Sequence, residues 1–475
     1  MNYFNGNGVA YSKVGKCRNK PRVWLEGAIL SRSNFNRHTQ IYIRLNPIER
    51  CIEIFATDDA PKIRTVSGRV NKKGHELPII DINNDELLDV TRDADLVCIE
   101  AKLNHIRITV HHYDLKREAR EASIRYNLYN GFLNKGVLCG GIGVSAAASH
   151  DALAEAGIHS NTTLFVDRER TYIDAYAKNN HSLSKSTLIV NSTLEELETR
   201  FISALNMLVF SLPCTGHTRS GKAKNGNAIA EMHATDATAV FGLIKIAEAS
   251  QPAILSSENV VEAMNSATYA LLKAHLVELG YVIYERILSK EDTGTFEDRE
   301  RYWFVAVSKG LPKLNIDDFP EYTPRFENLG ELISSAGCDI QSGDWRDLKK
   351  LKDREAAHAK KGNSFKLNMV DESSTSIGVC GKGYAKDRAT EPHLAGPNNT
   401  YRLLKPLELA LAQEVPPHLI DGVVDTYAYE GLGQGVDYRQ AMGITHMIAR
   451  DVLLPIMSEL DSMPVPKGQT FDMAV

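Results

Sequence analysis

No two cysteines in this chain are spaced C-x-x-C; the seven present, at 17, 51, 98, 139, 214, 338 and 380, are odd in number and scattered. That pattern argues against a disulfide framework or a zinc site and points to a reducing compartment. Long apolar runs are missing too: none approaches the roughly 18 residues a membrane span requires. The N-terminal stretch MNYFNGNGVAYSKVGKCRNK lacks the apolar core of a secretory signal. A cytoplasmic protein without membrane attachment is therefore expected. Nor is there an excess of positive charge. The formal net charge is −5, so any nucleic-acid contact must come from a local basic surface, not the field of the whole molecule.

What is present is a chain of 475 residues with 43% hydrophobic and 24% charged residues, long enough for about two or three domains. Residues 21–112 read as short strands between polar turns. Two stretches resemble each other: Leu25 and Leu30 precede the pairs Ile41/Ile43 and Ile52/Ile54, and Ile82 and Leu87 precede Val97/Ile99 and Ile106/Ile108. Period-two alternation places such residues on one sheet face. A duplicated strand–turn–strand unit is the reading; a single irregular β-domain is the competing one. Residues 113–130 read as a charged helical connector. Beyond it, the short apolar runs GVLCGG, TLFVD, STLIV, LNMLVFSL and PAILSS alternate with helix-like stretches up to about residue 310, the pattern of buried parallel strands. A polar region follows from 311 to 400, and helical patterning returns in 402–414 and 436–460.

Four features carry chemistry. In GVLCGGIGVSAAA a strand ends at Leu138 and the glycines 140, 141 and 143 lead into a helix of small residues. Glycines let the backbone approach a ligand, and the helix N-terminus offers unpaired N–H groups. The next strand ends in Asp167, placed to accept hydrogen bonds from ribose hydroxyls, although a surface turn or helix cap would read the same. In MLVFSLPCTGHTRSGKAKNG an apolar strand runs into Pro213-Cys214 and a cationic loop. A cysteine beside an apolar strand is usually core packing, but the loop favours exposure and a lowered thiol pKa. QPAILSSENV is a buried strand ending in Glu258-Asn259-Val260. A thiolate and a carboxyl group at neighbouring strand ends suit covalent attack on a ring with proton transfer. Finally, in GTFEDRERYWFVAVSKG, Arg299 and Arg301 alternate before a strand. Both would point to one face and hold a carbonyl oxygen or phosphate, or else form a solvated cluster with Glu297, Asp298 and Glu300.

In this order and combination the chain from about 134 to 460 resembles the DNA cytosine-5 methyltransferase family. YRLLKPLELALAQEVP, with Arg402, Leu404, Glu408, Ala410 and Gln413, is similar to its ninth motif, and DYRQAMGITHMIARDVL to its tenth. SSTSIGVCGKGYAK resembles a segment of its target-recognition region. A shorter stretch, VWLEGAILSRSNFNRHTQIYI, resembles the AbrB/SymE-like swapped-hairpin family, whose members often bind nucleic acid.

The methyltransferase resemblance implies a doubly wound, Rossmann-like α/β sheet. The expected division is an N-terminal β-rich domain (1–112), a helical connector (113–132), a catalytic domain (133–310), a target-recognition region (311–400) and a completing C-terminal part (401–475). It implies Cys214 as nucleophile on C6 of a flipped cytosine, Glu258 at N3, and Arg301 at O2 with Arg299 supporting it or binding phosphate. S-adenosylmethionine, without a metal, would lie against Cys139, Gly140, Gly141, Ile142, Gly143, Asp167, Arg168, Asn191, Pro213, Met442 and Gly443. Double-stranded DNA is the implied partner and a monomer the implied state, in a restriction-modification or phage setting with nucleoid association. RNA cytosine methylation, or a catalytically silent nucleic-acid-binding regulator, are the alternatives.

The chain departs from the family at several positions. Thr215 replaces the usual glutamine after Pro-Cys, and His217-Thr218 the Phe-Ser that follows. Cys139 stands where an aromatic residue is usual, Val144 where a glycine is, and Asn191 or Ser192 where an acid contacts adenine. Glu297 replaces a glutamine, and Met442-Gly443 a Gly-Asn pair. These changes bear on cofactor affinity and loop geometry and leave nucleophile and acid in place. The brevity of the recognition region predicts a short or permissive target, since each bidentate base contact supplies about 1–3 kcal/mol of discrimination. The run WRDLKKLKDREAAHAKKG could contact phosphates or be a solvated helix.

Overall fold

The computed structural model describes residues 8–213, 238–360, 362, 366–388 and 390–462. The chain divides into two units, Met1–Ala119 and Arg120–Val475.

In the first unit one order of elements occurs twice. Strands β1 (Gly8–Lys13), β2 (Gly15–Cys17) and β3 (Lys20–Glu26), helix α1 (Ala28–Arg32) and hairpin β4 (Gln40–Asn46)–β5 (Cys51–Ala56) come first. Then follow β6 (Ile63–Thr65), β7 (Ser67–Val70), β8 (Glu76–Ile82), α2 (Leu87–Thr91) and hairpin β9 (Leu96–Lys102)–β10 (His105–Val110). Short helices thus stand where the sequence suggested plain turns, because Leu30 and Leu87 must turn inward to full burial. The sheets run β1-β9-β10-β5-β4-β6 and β2-β3-β8-β7. Pairing is reciprocal: β1 of the first half lies beside β9 of the second, and β6 of the second beside β4 of the first. A single hairpin buries too little apolar surface to stand alone. Together the halves enclose one core of Leu25, Ile52, Ile54, Ile82, Val97, Ile99, Ile106 and Ile108.

The division between the units falls inside helix α3 (His112–Tyr129). Its second part packs within the second unit. Arg120 is buried and donates to Ser308 Oγ at 3.0 Å and to the Leu279 carbonyl at 2.7 Å, with its guanidinium over the Tyr281 ring. The adjacent Glu121 accepts the Gly310 N–H at 2.9 Å.

The second unit is built on a seven-stranded sheet: β11 (Leu133–Leu138), β12 (Ser160–Asp167), β13 (Leu183–Asn191), β14 (Met207–Phe210), β15 (Ile254–Asn259), β16 (Tyr281–Leu288) and β17 (Arg301–Ser308). Their order is β13-β12-β11-β14-β15-β17-β16. The first five are mutually parallel, and β17 runs antiparallel to both its neighbours. The crossovers contain helices α4 (Val144–Glu155), α5 (Arg170–Asn179) and α6 (Ala239–Ser250); α7 (Ala267–Glu278) leads from β15 to β16. Parallel strands covered on both faces need unbroken apolar runs, and β14 is buried at every residue. This doubly wound arrangement aligns the carboxyl ends of β11, β12, β14 and β15 along one edge, where open α/β sheets bind ligands.

The polar region contains helices α8 (Leu329–Ala336) and α9 (Lys349–Lys360) and a small sheet, β18 (Arg346–Asp347)-β21 (Thr400–Arg402)-β20 (His393–Gly396)-β19 (Met369–Val370). After it come α10 (Pro406–Ala412), α11 (Asp425–Gln434) and α12 (Tyr438–Ile448). Apolar residues of that region, among them Leu329, Ile377 and Leu394, join the same hydrophobic cluster as Ile142, Trp303 and Ile444. Among the described residues no helix is long and apolar enough to cross a membrane.

Candidate active site

At the end of β11 the chain turns sharply. Cys139 has φ +53°, Gly141 +55° and Gly143 +89°, the left-handed region that side chains other than glycine and asparagine rarely adopt. The turn is tightly enclosed on one side: a Cβ on Gly140 would lie 2.4 Å from the Phe165 ring, which is itself stacked on Tyr176 at 3.6 Å. On the other side it is open, since a Cβ on Gly141 would meet nothing within 4 Å. Asp167, at the end of β12, faces this loop. One carboxyl oxygen accepts the Gly141 N–H at 2.8 Å and the other accepts the Glu169 N–H at 2.9 Å. Burial pushes the Asp167 carboxyl above its ordinary pKa, and the two N–H groups pull it back. Each oxygen retains a lone pair for a further donor.

The surrounding positions are less uniform. Gly143 is the N-cap of α4 without a side-chain cap bond, and Ile142 is buried. Arg168 lies half in solvent next to Glu169. Asn191 spends its amide donors on the carbonyls of Asp167 and Arg168, at 3.2 and 2.8 Å. Gly443 packs against Phe319, where a Cβ would approach the ring to 2.2 Å, and Met442 packs against the core. Neither is drawn to the glycine-rich turn by a hydrogen bond. The loop and Asp167, open space in front of Gly141 and an uncapped helix N-terminus fit a small molecule bearing a carboxylate and vicinal hydroxyls.

The second cluster forms at the ends of β14 and β15. Glu258 is buried, and its carboxylate meets Arg301 Nε at 2.7 Å and the Ser211 hydroxyl at 3.4 Å. Burial raises the Glu258 carboxyl pKa; the positive charges of Arg301 and then Arg299 work against that rise. Asn259 donates to the Leu212 carbonyl at 2.9 Å and to the Tyr269 hydroxyl at 3.0 Å. The end of β15 therefore grips the chain at Ser211 and Leu212, just ahead of Pro213. Cys214 lies outside the described residues.

The two arginines do not share a role. Glu258 is opposite Trp303 in the antiparallel register, so Arg301 is its diagonal neighbour on the same face. Arg299, expected either to support Arg301 or to bind phosphate, is buried at 1% exposure. It donates through Nε and Nη2 to Glu297 at 2.9 and 3.2 Å, through Nη1 to the Gly435 carbonyl at 2.8 Å, and through Nη2 to the Cys380 carbonyl at 3.0 Å. Glu297 is fully buried. An acid two residues away holds the guanidinium, and neither charge could be buried alone. The solvated cluster also considered is excluded for this pair by the same burial.

Gln440, Asn259 and Ser211 support the site, and none of them was assigned a role from the sequence. Gln440 on α12 donates to the Arg299 carbonyl at 2.8 Å and accepts from Trp303 Nε1 at 2.9 Å. Asn259 stood in the quoted tripeptide without an assignment; Ser211 had no signal beyond its place before Pro-Cys. Arg402 and Glu408 form a buried two-bond pair, at 2.6 and 2.7 Å, that ties β21 to α10. Helix α9 buries Leu351 and exposes Lys349, Lys350, Lys352, Asp353 and Arg354, a surface with more basic than acidic groups.

Comparison with known proteins adds to this geometry. A family model, C-5 cytosine-specific DNA methylase, matches residues 138–448. The chain is 24% identical over 277 residues to the type II methyltransferase M.SsoII of Shigella sonnei, covering 57% of this chain and 68% of that one. It is 25% identical over 234 residues to M.DsaV of Dactylococcopsis salina, covering 49% and 65%. The aligned segments thus span about two thirds of these relatives (68% and 65%). Among solved structures, the Entamoeba histolytica methyltransferase EhMeth matches with a TM-score of 0.51 at 16% identity, over 67% of this chain and 98% of that one. At that identity the likeness concerns the fold.

Proposed function

Because the chain belongs to the C-5 cytosine-specific DNA methylase family, we propose that it methylates C5 of a cytosine extruded from duplex DNA, with Cys214 as the nucleophile. The observation that carries this reading is the buried Glu258–Arg301 pair at the strand end that also holds Ser211 and Leu212.

A base stacked in a duplex is out of reach, so the cytosine must first leave the helix. The Cys214 thiolate forms a bond to C6, while the raised proton affinity of Glu258 lets its carboxyl group stabilise a proton at N3. Arg301 holds the O2 side and keeps Glu258 in place. Electron density from the C5–C6 double bond is thereby moved to C5. S-adenosylmethionine, when bound, supplies the electrophilic methyl group. Loss of the C5 proton and breakage of the C6–sulfur bond then restore the ring and the thiol. Asp167 would hold the cofactor's ribose hydroxyls, and the 140–143 turn with the N-terminus of α4 its carboxylate. Cys139, Arg168, Asn191, Pro213, Met442 and Gly443 complete the proposed cofactor surroundings. The exposed, predominantly basic surface of α9 would follow the DNA backbone.

The protein would act as a monomer on a short or permissive target, in a restriction-modification setting. The test is incubation with labelled S-adenosylmethionine and duplex DNA, followed by nucleoside mass spectrometry. 5-Methylcytosine should appear with the intact protein and vanish with Cys214→Ala. DNA carrying 5-fluorocytosine should trap a covalent adduct, since fluorine blocks the final elimination. Absence of both product and adduct would refute the reading, and a long, strict site by bisulfite sequencing would refute the permissive target.

A further inference from the structure

Residues 296–298, just ahead of β17, are the meeting point of three segments. Ile377 pairs with Glu297 as an added bridge, its N–H donating to Phe296 O at 3.0 Å and its carbonyl accepting from Asp298 N at 2.8 Å. The Glu297 carboxylate takes the Cys380 N–H at 2.6 Å in addition to its two bonds from Arg299. Arg299 in turn binds the carbonyls of Cys380 and of Gly435, which follows α11. One buried ion pair therefore holds the 377–380 segment of the recognition region and the end of α11 onto the strand that carries Arg301.

We infer that Glu297 is a positioning residue for methyl transfer: by clamping Arg299 it reserves Arg301 for Glu258 and locks the 377–380 segment to the same strand. The inference rests on the cytosine-5 methyltransferase reading above. A glutamine at this position would keep one acceptor oxygen, but its NH2 would face an N–H donor of Arg299 or Cys380 and Arg299 would be left with an uncompensated buried charge. That charge reaches Glu258, on which both Arg299 and Arg301 act electrostatically. Among the described residues, the groups acting on Glu258 are Arg301, Arg299 and Ser211; those around the clamp are Cys380, Glu391 and Asp437.

The experiment is the pH profile of single-turnover methyl transfer for wild type, Glu297→Gln and the double variant Glu297→Gln/Arg299→Gln. Glu297→Gln should move the alkaline limb, where the Glu258 proton is lost, about half a unit to one unit toward lower pH. The double variant, lacking both charges, should return the limb to its wild-type position even though its rate is lower. A packing role alone would lower rates without moving and restoring the limb, and that result overturns the inference. If Glu297→Gln does not fold, Glu297→Asp applies the same test: the charge stays, so kcat falls while the limb holds, and a shifted limb counts against the clamp. Methyl transfer by wild type with an unmoved limb in Glu297→Gln sinks this inference alone. No transfer by wild type sinks the activity and this inference with it.

Discussion

Arg301 on β17 reaches across to Glu258 on the neighbouring antiparallel strand, Nε to carboxylate oxygen at 2.7 Å, and Glu258 is buried at 6% exposure. Burial favours the protonated acid and the guanidinium favours the anion, with burial the larger influence. The carboxyl group therefore binds a proton more readily than an exposed glutamate does.

Glu258→Gln tests that balance. The amide keeps the volume and an acceptor for Arg301 but cannot exchange a proton. Methyl transfer under single-turnover conditions should fall about 10²–10⁴-fold, with S-adenosylmethionine binding by calorimetry unchanged. A rate within a few-fold of wild type would remove Glu258 from the chemistry.

Asp167→Asn should weaken cofactor binding roughly tenfold or more. Both oxygens of Asp167 accept backbone N–H groups, and an amide offers only one acceptor. Its NH2 group would face a second donor, at a cost of about 1–3 kcal/mol. Titration calorimetry against S-adenosylmethionine would measure it, and unchanged affinity would show that the loop does not depend on this acid.

Gly140→Ala should destabilise the second unit by about 1–3 kcal/mol through overpacking. The added Cβ would sit 2.4 Å from the Phe165 ring, and Tyr176, stacked behind that ring, blocks its retreat. Thermal unfolding is the measurement; an unaltered midpoint would mean that the turn relaxes freely.

Lys135 is a buried amine whose partners are Ser149 Oγ at 2.6 Å and the Ala146 carbonyl at 3.0 Å, with no carboxylate bonded to it among the described residues. Burial lowers its pKa from 10.5 to about 7, the charge of Asp151 only partly offsetting this. Between pH 7 and 10.5 the unfolded chain holds a proton the folded chain lacks, so this group's contribution to stability rises with pH across that window and is constant below it. Lys135→Met should therefore be more stable than wild type at pH 7, with an advantage that shrinks toward pH 10. Urea unfolding at both pH values checks this; a gap independent of pH would exclude a neutral buried lysine.

The parallel strands were readable because each contains a short apolar run, ended by a polar residue in TLFVD and AILSSEN. Asp167 and Glu258 were legible for the same reason: strand ends in such sheets share one edge. The difference between Arg299 and Arg301 was not. Alternation puts both on one face, but which carboxylate each meets depends on Glu297, Cys380 and Gly435, the last two brought in from segments far along the chain. The exchange of strands in the first unit was signalled only by the short swapped-hairpin resemblance, since an apolar period of two says which face is buried and not which partner covers it.

Local periodicity and motif order by themselves determined the α/β class, the glycine-rich turn after β11 and the carboxylates at the strand ends, since these follow from backbone reach and from burial along one strand. Only tertiary structure decided how charges are shared. A buried ion must find its counterion, and the one that Arg299 found is Glu297, together with carbonyls that are neighbours in space alone.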